Sequence, residues 1–410
     1  MAQQKISPRV FTLFGTILTQ FALGSVYTWS LFNSGLAHRL HDPVNQVAFA
    51  FGLLSLSLAV ASSISGKLQE RFGVRNVTIA AGILMAIGLG MTSVSSNLWS
   101  LYLCAGILLG FADGTGYLMT LSNCVKWFPE HKGVISALSI GAYGLGSLGF
   151  KYINLYFLNH YTLSHTFQFW AILSLVMIFI GGLMMKDAPS HGLQSSKKQS
   201  NISPSSDFTL AESISRRQFW MLAIIFLTVC MSGLYVIGVA KDIGSGYVHL
   251  SMTQASQSVA VIALANLIGR LILGVLSDKM QRIRVISIAL VLSLAGIAIL
   301  LFSTMNGPLF YLSIACIAFS FGGTITVFPS LVSDFFGMTH LTKNYGAIYL
   351  GFGIGSLAAS MVSSLLGGFI PTFYLILGLL IISLIISLVI HQPETTEHFE
   401  QANMLQSAHS

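Results

Sequence analysis

The sequence predicts an all-α membrane protein built from twelve spans in two related sets of six. Composition, the spacing of apolar segments and the placement of Lys and Arg predict it. Of 410 residues, 54% are hydrophobic and only 8% charged, against about 25% charged in an ordinary soluble domain. So few charges cannot cover a water-facing surface, and most outward side chains must meet lipid. Glycine is abundant at 39 and proline scarce at 9, a balance that suits helices packed backbone to backbone in a membrane.

Apolar segments of about 20 residues are span candidates. They run over 10–33, 46–66, 76–95, 98–125, 133–158, 166–186, 219–241, 255–276, 284–304, 307–333, 344–366 and 370–391. The first follows Lys5 and Arg9 and carries a weak cleavage pattern at Ala22-Leu23-Gly24. Its apolar run continues through Tyr27, Trp29 and Phe32, too far for a signal-peptide core, so an uncleaved first helix is expected.

With the N-terminus inside, sixteen of the 20 Lys and Arg fall in cytoplasmic loops or segment ends. They are Lys5, Arg9, Lys67, Arg71, Arg75, Lys126, Lys132, Lys186, Lys197, Lys198, Arg216, Arg217, Lys279, Arg282, Arg284 and Lys343. Only Arg39 lies clearly outside, so both termini are expected in the cytoplasm. The net charge of +7 is then a topology signal and not a nucleic-acid footprint. Cys104, Cys124, Cys230 and Cys316 lie inside apolar stretches without ligand spacing, so neither a disulfide framework nor a metal site is expected. Neither a phosphate-cradling loop nor a nucleophile–base constellation stands out, so direct ATP drive, a cofactor and enzymatic activity are not expected.

Region 187–217 is rich in Ser, Lys and Gln without periodicity. It reads as a cytoplasmic linker between an N-terminal half, 1–186, and a C-terminal half, 218–391; residues 392–410 read as a polar tail. The halves are related. At an offset of 208 residues (27 to 235), Tyr27 falls on Tyr235, Ser122 on Ser330, and Trp127-Phe128 on Phe335-Phe336. The same offset sets Gly66-Lys67-Leu68-Gln69-Glu70-Arg71 against Gly274-Val275-Leu276-Ser277-Asp278-Lys279. One residue later in register, Gly144-Leu145-Gly146-Ser147 meets Gly353-Ile354-Gly355-Ser356.

Gly66 to Arg75 is similar to the signature between the second and third helices of the major facilitator superfamily, with Glu70 where Asp is usual. Within that superfamily the chain resembles the oxalate/formate antiporter and monocarboxylate-transporter group. The matching stretches are Tyr27-Thr28-Trp29-Ser30, Lys126-Trp127-Phe128-Pro129, Ala142-Tyr143-Gly144-Leu145-Gly146, Phe328-Pro329-Ser330 with Asp334, and Asn344-Tyr345-Gly346. Residues 15–393 also resemble a bacterial inner-membrane carrier assigned to pyruvate, most closely over 19–33, 121–129 and 322–333. The resemblance implies a carrier working by alternating access between two six-helix halves.

Charges inside spans are costly and each is a functional hypothesis. Arg270 lies deep in the eighth segment between apolar neighbours. A guanidinium keeps its proton and offers a planar fork suited to a carboxylate. The alternative is a permanent pair with Asp113 or with carbonyls. The resemblance places the family's anion-binding arginine at Arg270 and a substrate-contacting tyrosine at Tyr117. Asn266, one turn from Arg270, either donates to substrate or steadies the guanidinium. Monocarboxylate-transporter relatives often carry an acid there, and asparagine cannot take up a proton in its place. Asp113, one turn from Tyr117, reads as a proton carrier, as the counter-ion of Arg270, or as a packing residue.

Tyr27 and Tyr235 read as a repeat-related pair lining the cavity, or as packing. Phe321, Ile325, Tyr349 and Phe352 occupy corresponding faces of the tenth and eleventh segments. Oxalate-carrying members place a second cation where Phe352 stands, and a single cation suits a monoanion. Lys151 and Lys241 read as snorkelling outward, or as an anion-attracting vestibule. Glu70, Arg71, Asp278 and Lys279 read as cytoplasmic gate contacts. Gly141, Gly144, Gly146, Gly351, Gly353 and Gly355 suggest tight or bending helices.

The expected function is secondary transport of a small monocarboxylate of the pyruvate, lactate or formate class by a monomer in a bacterial inner membrane. Partners are the organic anion, protons or a counter-transported anion, and lipid. The rivals are an oxalate/formate-type exchanger, an exporter of lipophilic compounds and a non-transporting carboxylate sensor.

Overall fold

The computed structural model describes residues 8–128, 132–188, 208–337 and 340–393. Twelve long helices run through them. In the N-terminal half they are α1 Pro8–Leu31, α2 Val44–Phe72, α3 Val74–Thr92, α4 Leu98–Trp127, α5 Lys132–His160 and α6 Leu163–Met184. The C-terminal half supplies α7 Arg217–Tyr247, α8 Met252–Lys279, α9 Arg282–Phe302, α10 Gly307–Phe336, α11 Leu341–Leu366 and α12 Phe369–Val389. Short helices Asn33–Leu40 and Leu210–Ile214 join them, and no strand occurs among the described residues.

Eleven of the twelve are long and apolar enough to cross a membrane. The remaining one, α5, matches them in length at 29 residues, and it carries the fully buried Lys151 and Asn154. Large apolar side chains such as Ile172, Ile272 and Leu388 point outward, because lipid is their solvent. Trp99, 83% exposed beside the start of α4, sits where an amphipathic ring anchors at an interface.

Lipid tails are as apolar as leucine, so helices associate by close fit. Within the N-terminal half α1 lies on α5 and α6, α2 on α4, and α3 on α6; within the other half α8 and α9 lie on α10, and α7 on α11. The halves meet along α2–α11, α5–α8 and α1–α7. At Gly24 a Cβ would collide with the Tyr143 carbonyl, so α1 and α5 touch backbone to backbone. A Cβ at Gly322 would strike the Asn266 carbonyl, which seats α10 on α8.

Twelve alternating helices put residues 8 and 393 on one face, here the terminal face, opposite a distal face. At the distal face Arg39 Nη1 and Nη2 donate to the Ser93 and Thr92 carbonyls at 2.8 and 2.9 Å. At the terminal face both carboxylate oxygens of Asp187 accept from the Val74 amide, at 3.0 and 3.1 Å, capping α3 where a charge suits the helix dipole.

Three expectations change. The two acid–base clusters are not loops: Gly66 to Arg71 form the last turns of α2, and Gly274 to Lys279 those of α8. Residues 189–207, most of the expected linker, lie outside the described residues, as do 394–410 of the tail. The linker's far end is ordered: the Phe208 amide donates to the Phe336 carbonyl at 3.0 Å, and Thr209 with Glu212 forms a capping box for Leu210–Ile214. That Thr-x-x-Glu pattern was the signal in the sequence. Hydrogen bonds from Thr209 hold the Glu212 carboxyl below its ordinary pKa.

Lys151 and Lys241 do not snorkel. Both are buried, with Lys151 Nζ donating to Gln257 Oε1 at 2.8 Å and Lys241 Nζ to the Leu31 carbonyl at 3.1 Å. Each reaches the opposite half instead of the lipid interface, because a carbonyl or amide oxygen there satisfies the ammonium.

Candidate functional site

Near the middle of the bundle, Tyr27, Leu58, Tyr117 and Tyr143 from one half face Arg270, Ile325, Tyr349 and Phe352 from the other. The space between them is about 10 Å³, little more than room for one water. Anything larger enters only when the halves part.

Arg270 is 7% exposed. Its Nε donates to Asn266 Oδ1 at 2.8 Å, within the same turn of α8. Its Nη1 is buried without a hydrogen-bond partner, and so is Asn266 Nδ2. Of the two roles open to Asn266, the structure displays the steadying one. The Tyr117 hydroxyl lies beside the guanidinium.

Asp113 is fully buried, and Oδ2 accepts from the Tyr143 hydroxyl at 2.9 Å while Oδ1 has no partner. No ion pair joins it to Arg270 among the described residues, so the counter-ion reading is not the arrangement seen. The Tyr143 ring meets those of Tyr27 and Tyr117 edge-on, at centroid distances of 5.2 and 5.0 Å. On the far wall Tyr349 stacks on Phe352 at 5.2 Å and 15°.

Two expected wall residues lie elsewhere. Tyr235 is 2% exposed, donates to Ser363 Oγ at 2.7 Å and packs its ring on Phe373. The repeat breaks there for a local reason. From Gly24 to Leu31, α1 is a 3₁₀ segment, advancing about 120° per residue instead of 100°, whereas α7 stays α-helical past Tyr235. Phe321 stands behind Phe352, centroids 6.2 Å apart, filling the surface opened by Gly233.

Tyr143 and Leu58 were not anticipated as site residues. Tyr143 falls within a family-like stretch, yet nothing in its spacing places it against Asp113, thirty positions away on another helix. Leu58 is an ordinary apolar residue until its helix is docked.

Glu70, Arg71, Asp278 and Lys279 are exposed at the terminal face. Among the described residues they make no hydrogen bond or ion pair between halves, and Arg71 lies over the neighbouring Phe72 ring. The distal face differs. There Asn33 Nδ2 and Ser34 Oγ donate to the two oxygens of Asp242 at 2.7 and 2.9 Å, and Asn45 Nδ2 donates to the Ser363 carbonyl at 2.9 Å.

Residues 10–245 and 235–406 match the family model described as Major Facilitator Superfamily. An uncharacterized MFS-type transporter of Escherichia coli K12, YhjX, is 59% identical, over 85% of this chain and 86% of its own length. The oxalate:formate antiporter of Oxalobacter formigenes is 26% identical over 85% and 84%. Apicoplast pyruvate carrier 1 of Toxoplasma gondii is 24% identical over 83% and 80%. Among solved structures, the nucleoside transporter NupG superposes with a TM-score of 0.70 at 11% identity, covering 93% of this chain and 99% of its own. At that identity the likeness is one of fold.

Proposed function

The chain belongs to the Major Facilitator Superfamily of membrane transporters, and we propose from that premise that its cargo is a small monocarboxylate gripped by Arg270. The observation that carries this reading is the buried, unpartnered Nη1 of Arg270 facing the cavity. An isolated buried ion loses several kcal/mol of solvation even after relaxation, whereas one hydrogen bond to a charged group returns about 1.5–3 kcal/mol. The Asn266 Oδ1 and Tyr117 hydroxyl partners are both neutral, so the guanidinium lacks a counter-charge, which a carboxylate supplies. With one cation, four tyrosines and apolar Leu58, Ile325 and Phe352 around it, the site suits one charge and a short apolar end. The names of the pyruvate carrier and, for formate, of the antiporter include small monocarboxylates.

Asp113 serves as the proton site in this reading. It is bonded by Tyr143 from α5, with Tyr27 from α1 and Tyr117 from its own helix close by. The other helices packed on α4, α2 and α3, hold titratable groups only near their ends: Lys67, Glu70, Arg71 and Arg75. Arg270 and a charged Asp113 sum to zero. Adding one monoanion leaves the cavity negative, and one proton on Asp113 restores neutrality, which a low-dielectric site favours. Proton symport follows, with uptake rising as the pH on the entry side falls.

Arrangement of Lys and Arg supports cytoplasmic termini, and the bacterial relative an inner-membrane location. The terminal face is then cytoplasmic, and Glu70, Arg71, Asp278 and Lys279 are its gate when that face closes. Reconstitution in liposomes tests the whole reading with labelled pyruvate, lactate, formate and oxalate, with and without a pH gradient. Carboxylate flux that is abolished in Arg270→Ala supports it. No monocarboxylate flux under any gradient, from correctly inserted protein, overturns it.

A further inference from the structure

Between α2 and α11 the halves touch at one end and part at the other. A Cβ at Gly52 would lie 2.7 Å from Ser360 Oγ, so the helices are in contact there. They run antiparallel, and the same register brings Gly66 level with Gly346, 14 residues further along each helix (52 to 66, 360 to 346). That is about 21 Å toward the terminal face, and neither glycine has a neighbour within 4 Å of its Cβ position. The hydrogen bonds that join described residues of the two halves, at Asn33, Ser34, Asn45, Lys151 and Lys241, all lie distal to the cavity.

They concentrate at the break after α1. Lys241 Nζ donates to the Leu31 carbonyl at 3.1 Å, where the 3₁₀ segment ends and leaves carbonyls unpaired. Asp242, the next residue, accepts from Asn33 Nδ2 at 2.7 Å and Ser34 Oγ at 2.9 Å, at the start of helix Asn33–Leu40, where a carboxylate suits the dipole. The far end of that short helix is bolted to α3 through Arg39. The helix therefore moves with the N-terminal half, while both charges ride on α7. We propose that Lys241 and Asp242 form a distal latch, which holds the cavity shut on the distal side while the terminal side is parted. Two consecutive opposite charges grip two helix ends of opposite polarity, so the shut latch buries no net charge. Opening the distal face breaks the clasp, because each charge and its partners sit on opposite halves. The latch acts whatever cargo Arg270 binds.

Spin labels on the full chain test it, with the four native cysteines changed to Ala. A distal pair, His38→Cys with Leu366→Cys, and a terminal pair, Arg71→Cys with Lys343→Cys, use exposed sites on opposite halves. Double electron–electron resonance reads both gaps. Asp242→Asn and Lys241→Met are each expected to raise the share of the long distal distance about five-fold. The terminal distance should shorten in step, as the halves rock. Ser34→Ala, which leaves both charges in place, is expected to move both distances the same way. An unchanged distal distance in any of the three folded variants overturns the latch. Distal lengthening without terminal shortening also overturns it, because that is general loosening and not a switch.

Discussion

The two halves give the cavity different things. From the N-terminal half come the tyrosine hydroxyls of Tyr27, Tyr117 and Tyr143, the last backed by the Asp113 carboxylate; from the C-terminal half come a guanidinium and a flat apolar wall, Arg270, Ile325, Tyr349 and Phe352. A duplicated fold has thus kept its helix packing while its two site surfaces diverged. The consequence is physical: one charge rides on each half, so moving the halves moves the charges relative to each other.

Removing the charge of the C-terminal half is expected to have the largest effect. Arg270→Ala should cut carboxylate uptake into liposomes to about one-hundredth or less, with insertion and helical content unchanged. Uptake above a tenth of wild type would dissolve the contrast between the halves.

Removing the charge of the N-terminal half should separate two modes of transport. Asp113→Asn mimics the protonated acid, so the loaded cavity stays neutral and exchange of internal for external substrate should persist within about three-fold. The unloaded cavity keeps one uncompensated positive charge, and net uptake, which requires its return, should fall more than about ten-fold. Equal loss of both modes would assign Asp113 a packing role.

A third test moves to where the halves are fastened. Asn33 and Ser34 bond Asp242 across the distal end, whereas the terminal end carries no such bond among the described residues. Asp242→Asn weakens charge-assisted bonds by about 1 kcal/mol. Amides of Asn33–Leu40 should then exchange hydrogen about five-fold faster, read by mass spectrometry.

The smallest effect belongs to the failed repeat partner. Tyr235→Phe should lower stability by about 1 kcal/mol, through its bond to Ser363, and leave KM unchanged; a raised KM would return Tyr235 to the cavity wall.

Of the expected residues, Arg270, Tyr117, Tyr27, Ile325, Tyr349 and Phe352 line the cavity; Arg270 stood out because a charge in an apolar span is expensive, and Tyr117 was carried by the resemblance. Tyr235 misled because equal repeat positions were assumed to have equal faces, and a 3₁₀ segment in α1 alone rotates one of them. Lys151 and Lys241 misled for the opposite reason, since their partners, Gln257 and the Leu31 carbonyl, belong to the other half of the chain.

By itself the sequence determined that the chain crosses a membrane in two related sets of six helices, because hydropathy is a local sum that needs no neighbour. The resemblance of its motifs carried the family. Only the tertiary structure decided that Asp113 answers to Tyr143 and not to Arg270. Partners thirty or more residues apart are chosen by helix rotation and backbone contact, which here turn on glycines such as Gly24 meeting the chain at Tyr143.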